Sequence, residues 1–340
     1  MIKVLIVDDS PVSRDLLEHL LRADPEIEVI GFAGSGEEAI AALSLKRPDV
    51  ITMDVHMPGL DGFQTTHRIM TEHPLPVIIV TASLDPIADS ANFRALEAGA
   101  LAILLKPPGL GHPDHLRAAA ELVQTVKLMS EVRVVRRSTR PAVSLQPPRV
   151  KTPERFKVVA IGASTGGPVV VQSILASLPG DFPVPLLVVQ HMAEGFISGF
   201  AEWLAGSCAL RVKVGEQGER LTPGVAYVAP GGTHLELDAM ARINLTAGQP
   251  GQLLCPSVTQ LFHSVAERFG RQAVGVLLSG MGSDGARGLK ELRDKGALTI
   301  AQDEESCVVY GMPGEAVKLQ AAQHVLPPES IIAMLQAISK

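Results

Sequence analysis

A serine on a glycine-rich turn is the residue of this sequence best placed for nucleophilic chemistry. The apolar run Val158–Ile161 leads into the motif GASTGGP (residues 162–168), and a helical pattern follows. A serine between a strand and a helix, here Ser164, presents its hydroxyl outward, and the start of the helix supplies unpaired backbone N–H groups for a developing negative charge. The pattern is typical of the nucleophile of a hydrolase.

A candidate base and a candidate acid follow two further apolar strands. Val184–Gln190 leads into His191, and Ala273–Leu278 leads into a loop that contains Asp284. Because the carboxyl ends of parallel strands lie along one edge of a sheet, both residues can meet Ser164 despite their distance in sequence. Each residue alone has a simpler interpretation: the serine and the aspartate as helix N-caps, the histidine as a hydrogen-bonded strand end. Together they predict a catalytic triad.

Two alternatives for these motifs stay open. His234, in APGGTH (residues 229–234), is a second candidate base, ranked below His191 because it follows a loop rather than a long buried strand. The glycines around Ser164 could instead bind a nucleotide, but GASTGG does not match G-x-G-x-x-G and no acidic ribose ligand ends the next strand. The order Ser, His, Asp also differs from that of α/β-hydrolases, so we interpret the G-x-S-x-G match as convergent.

Charged residues follow the strands of the first half as well. Asp8 and Asp9 follow the first apolar run, Asp54 the third and Lys106 the fifth, and Thr81 ends the fourth. Three carboxylates at one edge repel each other unless a hard divalent cation lies between them. A cation, a lysine and a hydroxyl around one aspartate suit transfer of a phosphoryl group to that aspartate. The alternative, that the acids are helix N-caps or solubilising loop residues, is disfavoured by their joint placement.

Alternating strands and helices must position both sets of residues. In the first half the helical pattern Pro11–Arg22 places Leu16, Leu17, Leu20 and Leu21 on one face. The alternation predicts an α/β protein with two doubly wound parallel-sheet domains, flavodoxin-like in the first half and Rossmann-like in the second. The predicted strands of the first half are Lys3–Val7, Val29–Ala33, Val50–Met53, Val77–Thr81 and Leu101–Leu105.

Length and composition agree with two buried sheets. The chain has 340 residues, of which 46% are hydrophobic and 19% charged, and its net charge of -6 disfavours nucleic acid as a partner. No apolar run is long enough to span a membrane and no signal peptide is evident, so we expect a cytoplasmic protein without membrane insertion. The cysteines Cys208, Cys255 and Cys307 have no metal-type spacing, and we interpret them as free thiols.

The two halves meet at a stretch without periodicity. Residues 131–155 are rich in arginine and proline and have few large apolar residues, which predicts an exposed linker. Docking of this basic stretch to an acidic partner is the alternative. The predicted boundaries are residues 1–125 for the first domain, 126–154 for the linker and 155–340 for the second domain.

Residues 1 to about 125 resemble a response-regulator receiver domain. Asp54, within MDVHMPGLDG, matches the phospho-acceptor of that family, Thr81 its switch hydroxyl and Lys106 its lysine. The resemblance implies phosphorylation by a chemotaxis histidine kinase and a Mg²⁺ ion held by Asp9, Asp54 and the backbone carbonyl of His56, with Asp8 binding through water. One position departs from the family, since Ile103 stands where a switching aromatic residue is usual.

The stretch from about residue 156 to 340 resembles the catalytic domain of the chemotaxis protein-glutamate methylesterases. The matching motifs are IGASTGGP, VVQHM, YVAPGGTH, GVLLSGMGSDGA and CVVYGMP. The resemblance implies that Ser164 is the nucleophile, His191 the general base and Asp284 the orienting acid. It also implies that the backbone N–H of Met281 lines the oxyanion hole, with Thr165 beside the nucleophile, and that this site needs no cofactor.

Two positions depart from the methylesterase family. Ala193-Glu194 replaces the usual Pro-Pro after VVQHM, and Thr259 replaces the aspartate of the usual Pro-Ser-Val-Asp. We expect both positions to shape contact with the substrate rather than the chemistry.

Both resemblances together imply a phosphorylation-controlled hydrolase in chemotaxis. Its expected substrates are glutamate γ-methyl esters on chemoreceptor signalling domains, which it would hydrolyse with release of methanol, and glutamines, which it would deamidate. Two rivals are an adaptor without enzymatic activity, disfavoured by the retained triad, and an esterase acting on a small molecule.

Overall fold

The computed structural model describes residues 1–82, 93, 95–132, 156–248 and 254–338. The chain divides into two compact units, Met1–Pro141 and Ala142–Lys340.

The first unit contains a five-stranded parallel sheet with the strand order β2-β1-β3-β4-β5. This is the order of flavodoxin-like folds, as the alternation of strands and helices predicted. The segment between β4 and β5 lies largely outside the described residues. The strands are β1 (Ile2–Val7), β2 (Ile27–Ala33), β3 (Val50–Met53), β4 (Val77–Thr81) and β5 (Ala102–Leu105), and the helices are α1 (Pro11–Arg22), α2 (Gly36–Leu43), α3 (Gly62–Glu72) and α4 (His115–Ser130).

Local signals in the sequence account for where these helices begin. Ser10 caps α1 by accepting a hydrogen bond from the N–H of Ser13, and Pro11 occupies the first helical turn, where its missing N–H costs nothing. Asp61 and Gln64 form a capping box at the start of α3. The predicted helix over residues 11–22 is therefore confirmed, and its buried face holds Leu17, Leu20 and Leu21.

The predicted start of the linker falls within the last helix of this unit. Helix α4 continues to Ser130, so residue 126, where the sequence placed the start of the linker, is helical. Residues 133–155 lie outside the described residues. The domain boundaries therefore stay a prediction.

The second unit contains a seven-stranded sheet with the order β14-β13-β12-β6-β7-β9-β8, and each pair of neighbouring strands is parallel. Short 3₁₀ turns cover Glu194–Phe196 and Gly270–Gln272. The strands of this sheet are β6 (Val158–Ala163), β7 (Leu186–Gln190), β8 (Arg211–Val214), β9 (Val225–Val228), β12 (Ala273–Leu277), β13 (Leu298–Gln302) and β14 (His324–Leu326). The helices are α5 (Gly167–Ala176), α6 (Ile197–Ser207), α7 (Val258–Phe269), α8 (Ala286–Asp294), α9 (Met312–Lys318) and α10 (Pro328–Ala337).

The first strand of this unit, β6, lies at the middle of its sheet between β12 and β7. All residues of these three strands are buried, which explains their continuous apolar sequence. The chain leaves β6 toward β7 on one side and later returns to β12 on the other side. Such a reversal of strand order opens a crevice at the carboxyl edge, where α/β proteins bind ligands.

A two-stranded antiparallel hairpin outside the main sheet was not predicted. It consists of β10 (Thr233–Leu237) and β11 (Ile243–Ala247), paired from Thr233 with Ala247 to Leu237 with Ile243. Leu235, Leu237 and Ile243 pack into the same hydrophobic core as α7. Each strand has only five residues, and this tertiary burial stabilises the hairpin.

Candidate active site

The acidic residues of the first unit meet at the carboxyl edge of its sheet. Carboxylate oxygens of Asp8, Asp9 and Asp54 lie within 4.8 Å of one another. Asp8 and Asp54 are buried, and Asp9 is exposed. Three hard oxygen donors at this spacing fit a Mg²⁺ ion, whose preferred ligands are carboxylates, carbonyls and water. His56, whose carbonyl the receiver resemblance adds to the ligands, follows Asp54 by two residues.

Lys106 reaches into this cluster from the end of β5. Its Nζ lies 2.7 Å from Asp8 Oδ2 and 2.8 Å from Asp54 Oδ2. Burial by itself would lower the pKa of Lys106, but the bonds to Asp54 and Asp8 outweigh burial and raise that pKa. Burial also raises the pKa of Asp8, and its pairing with Lys106 offsets this only in part. A cationic Lys106 compensates carboxylates that would otherwise repel each other.

The remaining receiver residues are placed by the two edge strands. Thr81 ends β4 and is fully buried, and its carbonyl accepts a hydrogen bond of 2.8 Å from the N–H of Lys106. Ile103, in place of the usual aromatic residue, is half-buried on β5 and pairs with Ile79 of β4. The structure thus brings Asp8, Asp54 and Lys106 into contact, with Thr81 at the same edge.

In the second unit, Ser164 is the first residue after β6. Its backbone N–H donates to the carbonyl of Ser279 over 3.0 Å, and its carbonyl accepts from the Gln190 side chain over 2.8 Å. Gly166 then turns the chain into α5 with φ of 77°, in the left-handed region that favours glycine. The predicted strand–turn–helix arrangement of the serine is present.

The loop after β12 lies against this turn. The hydroxyl of Ser279 donates to the carbonyl of Thr165 over 2.7 Å and accepts from the N–H of Val309 over 3.0 Å. A Cβ atom at Gly280 would collide with Met312 Sδ and lie 2.6 Å from Ser164 Cβ. Only glycine lets this backbone approach the serine so closely, and Met281, the predicted oxyanion residue, comes next in the chain.

His191 and Asp284 form the closest contact within the predicted triad. The ring Nε2 of His191 lies 2.9 Å from Asp284 Oδ2, and the exposed fractions of the two side chains are 11% and 8%. Within the described residues the hydroxyl of Ser164 makes no hydrogen bond to His191. The backbone N–H of His191 does bond to the carbonyl of Ala163 over 2.9 Å, which ties the histidine to the residue before the serine.

The carboxylate of Asp284 is held by the start of a helix to which it does not belong. It accepts hydrogen bonds from the N–H groups of Val258 and Thr259, over 2.7 and 3.0 Å, and from the hydroxyl of Ser257 over 2.9 Å. Ser257 is the N-cap of α7. The positive end of the helix dipole therefore adds to the stabilisation of the charge.

These contacts decide the charge of the aspartate. Burial would raise the pKa of Asp284, but the hydrogen bonds from His191 and Thr259 and the charge of His191 outweigh burial and hold that pKa well below its usual range. Asp284 is therefore a carboxylate over the whole physiological range, as the orienting acid of a triad must be.

Thr259, at a position that departs from the family, contacts the predicted acid. Its backbone N–H binds Asp284, and its hydroxyl accepts the N–H of Gly285 over 2.8 Å. The contact with substrate expected at this position stays a prediction. Thr259 supports the acid directly. The pattern Ser257-x-x-Gln260 is a helix-start signature and could have indicated that a helix N-terminus stands ready for an anion.

His234, the second candidate base, is used elsewhere. It is the second residue of the short strand β10, which follows a loop, it is buried, and its Nδ1 accepts the N–H of Ser257 over 3.1 Å. Glu194, at the other position that departs from the family, lies against Gly231, where a Cβ atom would come within 2.7 Å of Glu194 Cα. Its expected contact with substrate stays a prediction.

Two further expectations from the sequence concern the cysteines and helices that could span a membrane. The three cysteines are free thiols, as predicted. In the described part of the chain, no helix has the length and apolar character needed to cross a membrane.

A cavity of about 560 Å³ lies at the amino edge of the second sheet. Phe156, Lys157 and Pro185 are among the residues that line it, and the residues of the predicted triad are not.

Comparison with known proteins identifies two families along the chain. The CheB methylesterase family matches residues 159–335, and the response regulator receiver domain matches residues 4–121. A protein-glutamate methylesterase/protein-glutamine glutaminase of Syntrophus aciditrophicus is 53% identical over 98% of this chain and 97% of its own length. One of Geobacter metallireducens is also 53% identical, over 100% of this chain and 99% of its own.

A solved structure agrees with the second unit. The CheB methylesterase catalytic domain of Thermotoga maritima is 37% identical and superposes with a TM-score of 0.52, covering 54% of this chain and all of its own. The resemblances drawn from the motifs and the predicted α/β fold class are confirmed.

Proposed function

This chain belongs to the CheB methylesterase family and carries a response-regulator receiver domain, and on that premise we propose that Ser164, His191 and Asp284 are its catalytic triad. Its reaction is the phosphorylation-controlled hydrolysis of glutamate γ-methyl esters on chemoreceptors. The observation that carries the proposal is the 2.9 Å bond between His191 Nε2 and Asp284 Oδ2, beside the turn that presents Ser164.

The geometry assigns a role to each ring nitrogen of His191. Nε2 donates its proton to the carboxylate of Asp284, so Nδ1 is the nitrogen that accepts the proton of Ser164. The serine oxygen attacks the ester carbonyl, and backbone N–H groups near Met281 and Thr165 stabilise the oxyanion. The imidazolium then protonates the leaving methoxide, methanol departs, and water hydrolyses the acyl-enzyme by the same proton transfers.

The same residues can deamidate glutamine. An amide leaves as ammonia, which also requires a proton from the imidazolium of His191. Contact between Ser164 and His191 has to tighten when the substrate binds, since the two side chains are not hydrogen-bonded to each other within the described residues, and such tightening is common between the free and the substrate-bound state of hydrolases.

Replacement of the nucleophile tests this proposal. Ser164→Ala removes the attacking oxygen and should lower methanol release from methylated receptor by at least about a thousandfold. The measurement is release of labelled methanol by the full-length protein. Near-normal release by Ser164→Ala would contradict the mechanism. His191→Ala should be comparably severe, and the double variant little worse than either single variant, because the two residues act as a unit.

The receiver site supports phosphoryl transfer to Asp54 from a chemotaxis histidine kinase. Asp9, Asp54 and the carbonyl of His56 would hold Mg²⁺, with Asp8 binding through water, and a bound Mg²⁺ neutralises charge on the phosphoryl oxygens. Asp54 attacks the phosphorus atom while the P–N bond to the kinase's phosphohistidine breaks and its imidazole leaves. Lys106 pairs with the resulting charge, and Thr81 donates its hydroxyl to the phosphoryl group. We place both reactions in the cytoplasm, where the three free thiols stay reduced.

Labelling with a phosphodonor tests the receiver assignment. Asp54→Asn should abolish incorporation of acid-stable, base-labile phosphate, because the amide is not a nucleophile for phosphorus. Asp9→Ala should weaken Mg²⁺ binding and raise the Mg²⁺ concentration needed for labelling of Asp54. Labelling that persists in Asp54→Asn identifies a different acceptor.

A further inference from the structure

The second buried histidine of the hydrolase unit is linked to the triad through one serine. His234 is 3% exposed and lies on β10, in the hairpin outside the main sheet. Its Nδ1 accepts the backbone N–H of Ser257, and this bond is buried. Ser257 is itself 6% exposed and is the N-cap of α7.

Ser257 in turn bonds to the catalytic acid. Its hydroxyl donates to Asp284 Oδ1 over 2.9 Å and accepts the N–H of Gln260 over 3.4 Å. The next two residues give their N–H groups to the same carboxylate. The position of Ser257 therefore fixes the hydroxyl and, through the start of α7, the backbone donors that hold Asp284.

We infer that His234 is a positioning residue for the triad: by accepting the N–H of Ser257 it fixes the start of α7, and through it the carboxylate of Asp284. The inference rests on the proposed function of Ser164, His191 and Asp284. According to this inference, His234 raises the reaction rate by positioning Asp284 and does not itself touch the reacting atoms.

Physical chemistry restricts the form of His234 that can do this. An Nδ1 that accepts a hydrogen bond carries no proton, so the ring is neutral and its proton is on Nε2. Removal of the acceptor leaves a buried N–H of Ser257 without this partner, and the start of α7 shifts to find another one. Misplacement of a catalytic group by an ångström or less is enough to lower a rate substantially.

A pair of substitutions of similar size separates the acceptor from the bulk of the ring. His234→Asn places an amide oxygen near the position of Nδ1, and His234→Leu has the same branching without an acceptor. We expect His234→Leu to lower kcat for methanol release by about tenfold or more with little change in KM, and His234→Asn to stay within about threefold of the parent. The assay uses the full-length protein with methylated receptor.

The pH profile distinguishes positioning of the triad from a general loss of stability. A carboxylate that is held less well stabilises the imidazolium of His191 less. The acidic limb of kcat/KM should therefore move to lower pH in His234→Leu and stay in place in His234→Asn. Thr299→Val is the control for the loss of a buried side-chain acceptor. The hydroxyl of Thr299, on β13, accepts the N–H of Gln323, and its removal should leave kcat and the pH profile unchanged.

The outcomes separate this inference from the proposed function. If Ser164→Ala is inactive but His234→Leu and His234→Asn have equal kcat, the role of His234 is overturned and the proposed triad stands. Active Ser164→Ala would overturn the triad itself. If His234→Leu does not fold, His234→Gln replaces it in the comparison, because its amide lies one bond farther out and leaves the Nδ1 position empty. Equal kcat for Asn and Gln then counts against the inference.

Discussion

At the scale of single residues, Asp284 illustrates how hydrogen bonds keep one carboxylate ionised and fix its orientation. Two of its donors are N–H groups of α7, a helix that begins 26 residues earlier in the chain. The other donors to this carboxylate are His191, Ser257 and the N–H of Gly285. Because both oxygens are occupied, the orientation toward His191 is fixed before substrate binds. This preorganisation is what an orienting acid contributes to a hydrolase.

Asp284→Asn tests both the charge and the orientation. The amide presents N–H groups to backbone donors, so we expect a loss of about 2–3 kcal/mol in unfolding free energy at pH 7 and a lower kcat. The pKa of Asp284 is lowered in the folded protein, so its stabilising contribution is present above the unfolded value of 3.8 and is lost as pH falls below it. The stability difference between parent and variant should therefore narrow below about pH 4 in denaturant titrations.

The matched control for this substitution is an exposed aspartate at the end of α8, the helix that begins two residues after Asp284. Asp294→Asn, at the end of α8, disrupts an ion pair with Lys290 in which the Asp294 side chain is 59% exposed. It should change stability by less than about 0.5 kcal/mol. A pH-independent difference for Asp284→Asn would contradict the assignment of its charge.

At the scale of elements, the turn from β6 into α5 must be both tight and left-handed. Gly166 has φ of 77°, and a Cβ atom there would collide with Val308 and lie 3.0 Å from Ser279 Oγ. The chain therefore needs glycine at this position for its conformation and for its contact with two neighbouring loops. These constraints place Ser164 at the sheet edge.

Gly166→Ala should destabilise the protein by about 2–4 kcal/mol, the sum of left-handed strain and overpacking against Val308. The substitution should also lower kcat, because Thr165 and Ser164, which precede Gly166 in the turn, have to move. Gly206→Ala is the control: Gly206 is exposed in α6 with open space around it, and alanine there should be neutral or stabilising. Thermal unfolding and methanol release measure both effects, and equal behaviour of the two variants would contradict the account of the turn.

At the scale of the whole molecule, a receiver and a hydrolase are joined through residues that lie outside the described part of the chain. We predict from the sequence that the unphosphorylated receiver inhibits the hydrolase. A linker of roughly 25 residues allows one domain to act on the other. A tenfold change in activity needs only ~1.4 kcal/mol of differential stability between the two states. With Ile103 in place of the usual aromatic residue, we expect the Thr81 hydroxyl to carry more of the switch.

A truncated chain that begins near Lys151 tests this control. A catalytic domain alone is the form in which the Thermotoga maritima relative was solved, so the second unit is expected to fold by itself. The truncated chain should be more active than the unphosphorylated full-length protein and should not respond to phosphodonor. The full-length protein should respond, and its Asp54→Asn variant should not. Equal activity of the truncated and the unphosphorylated full-length chains on one methylated receptor would remove inhibition by the receiver from the account.

The sequence by itself determined the fold class and the strand ends at which the candidate functional residues lie. Apolar runs at β1, β3, β4, β6 and β12 are fully or largely buried, so their hydrophobicity gives the strand positions directly, and parallel strands place their carboxyl ends on one edge. For this reason the sequence predicts Asp54, Lys106, Ser164 and His191 as candidate functional residues at these strand ends.

Only the tertiary structure decided how Asp284, the proposed acid of the triad, is held. Three of its donors belong to Ser257, Val258 and Thr259, which no local pattern near Asp284 indicates, because contact between α7 and the loop after β12 arises from packing. The structure likewise placed His234 in a hairpin and bonded it to Ser257 rather than to the nucleophile. Strand burial is a local property that sequence records, whereas contacts between loops depend on how the whole sheet and its helices pack.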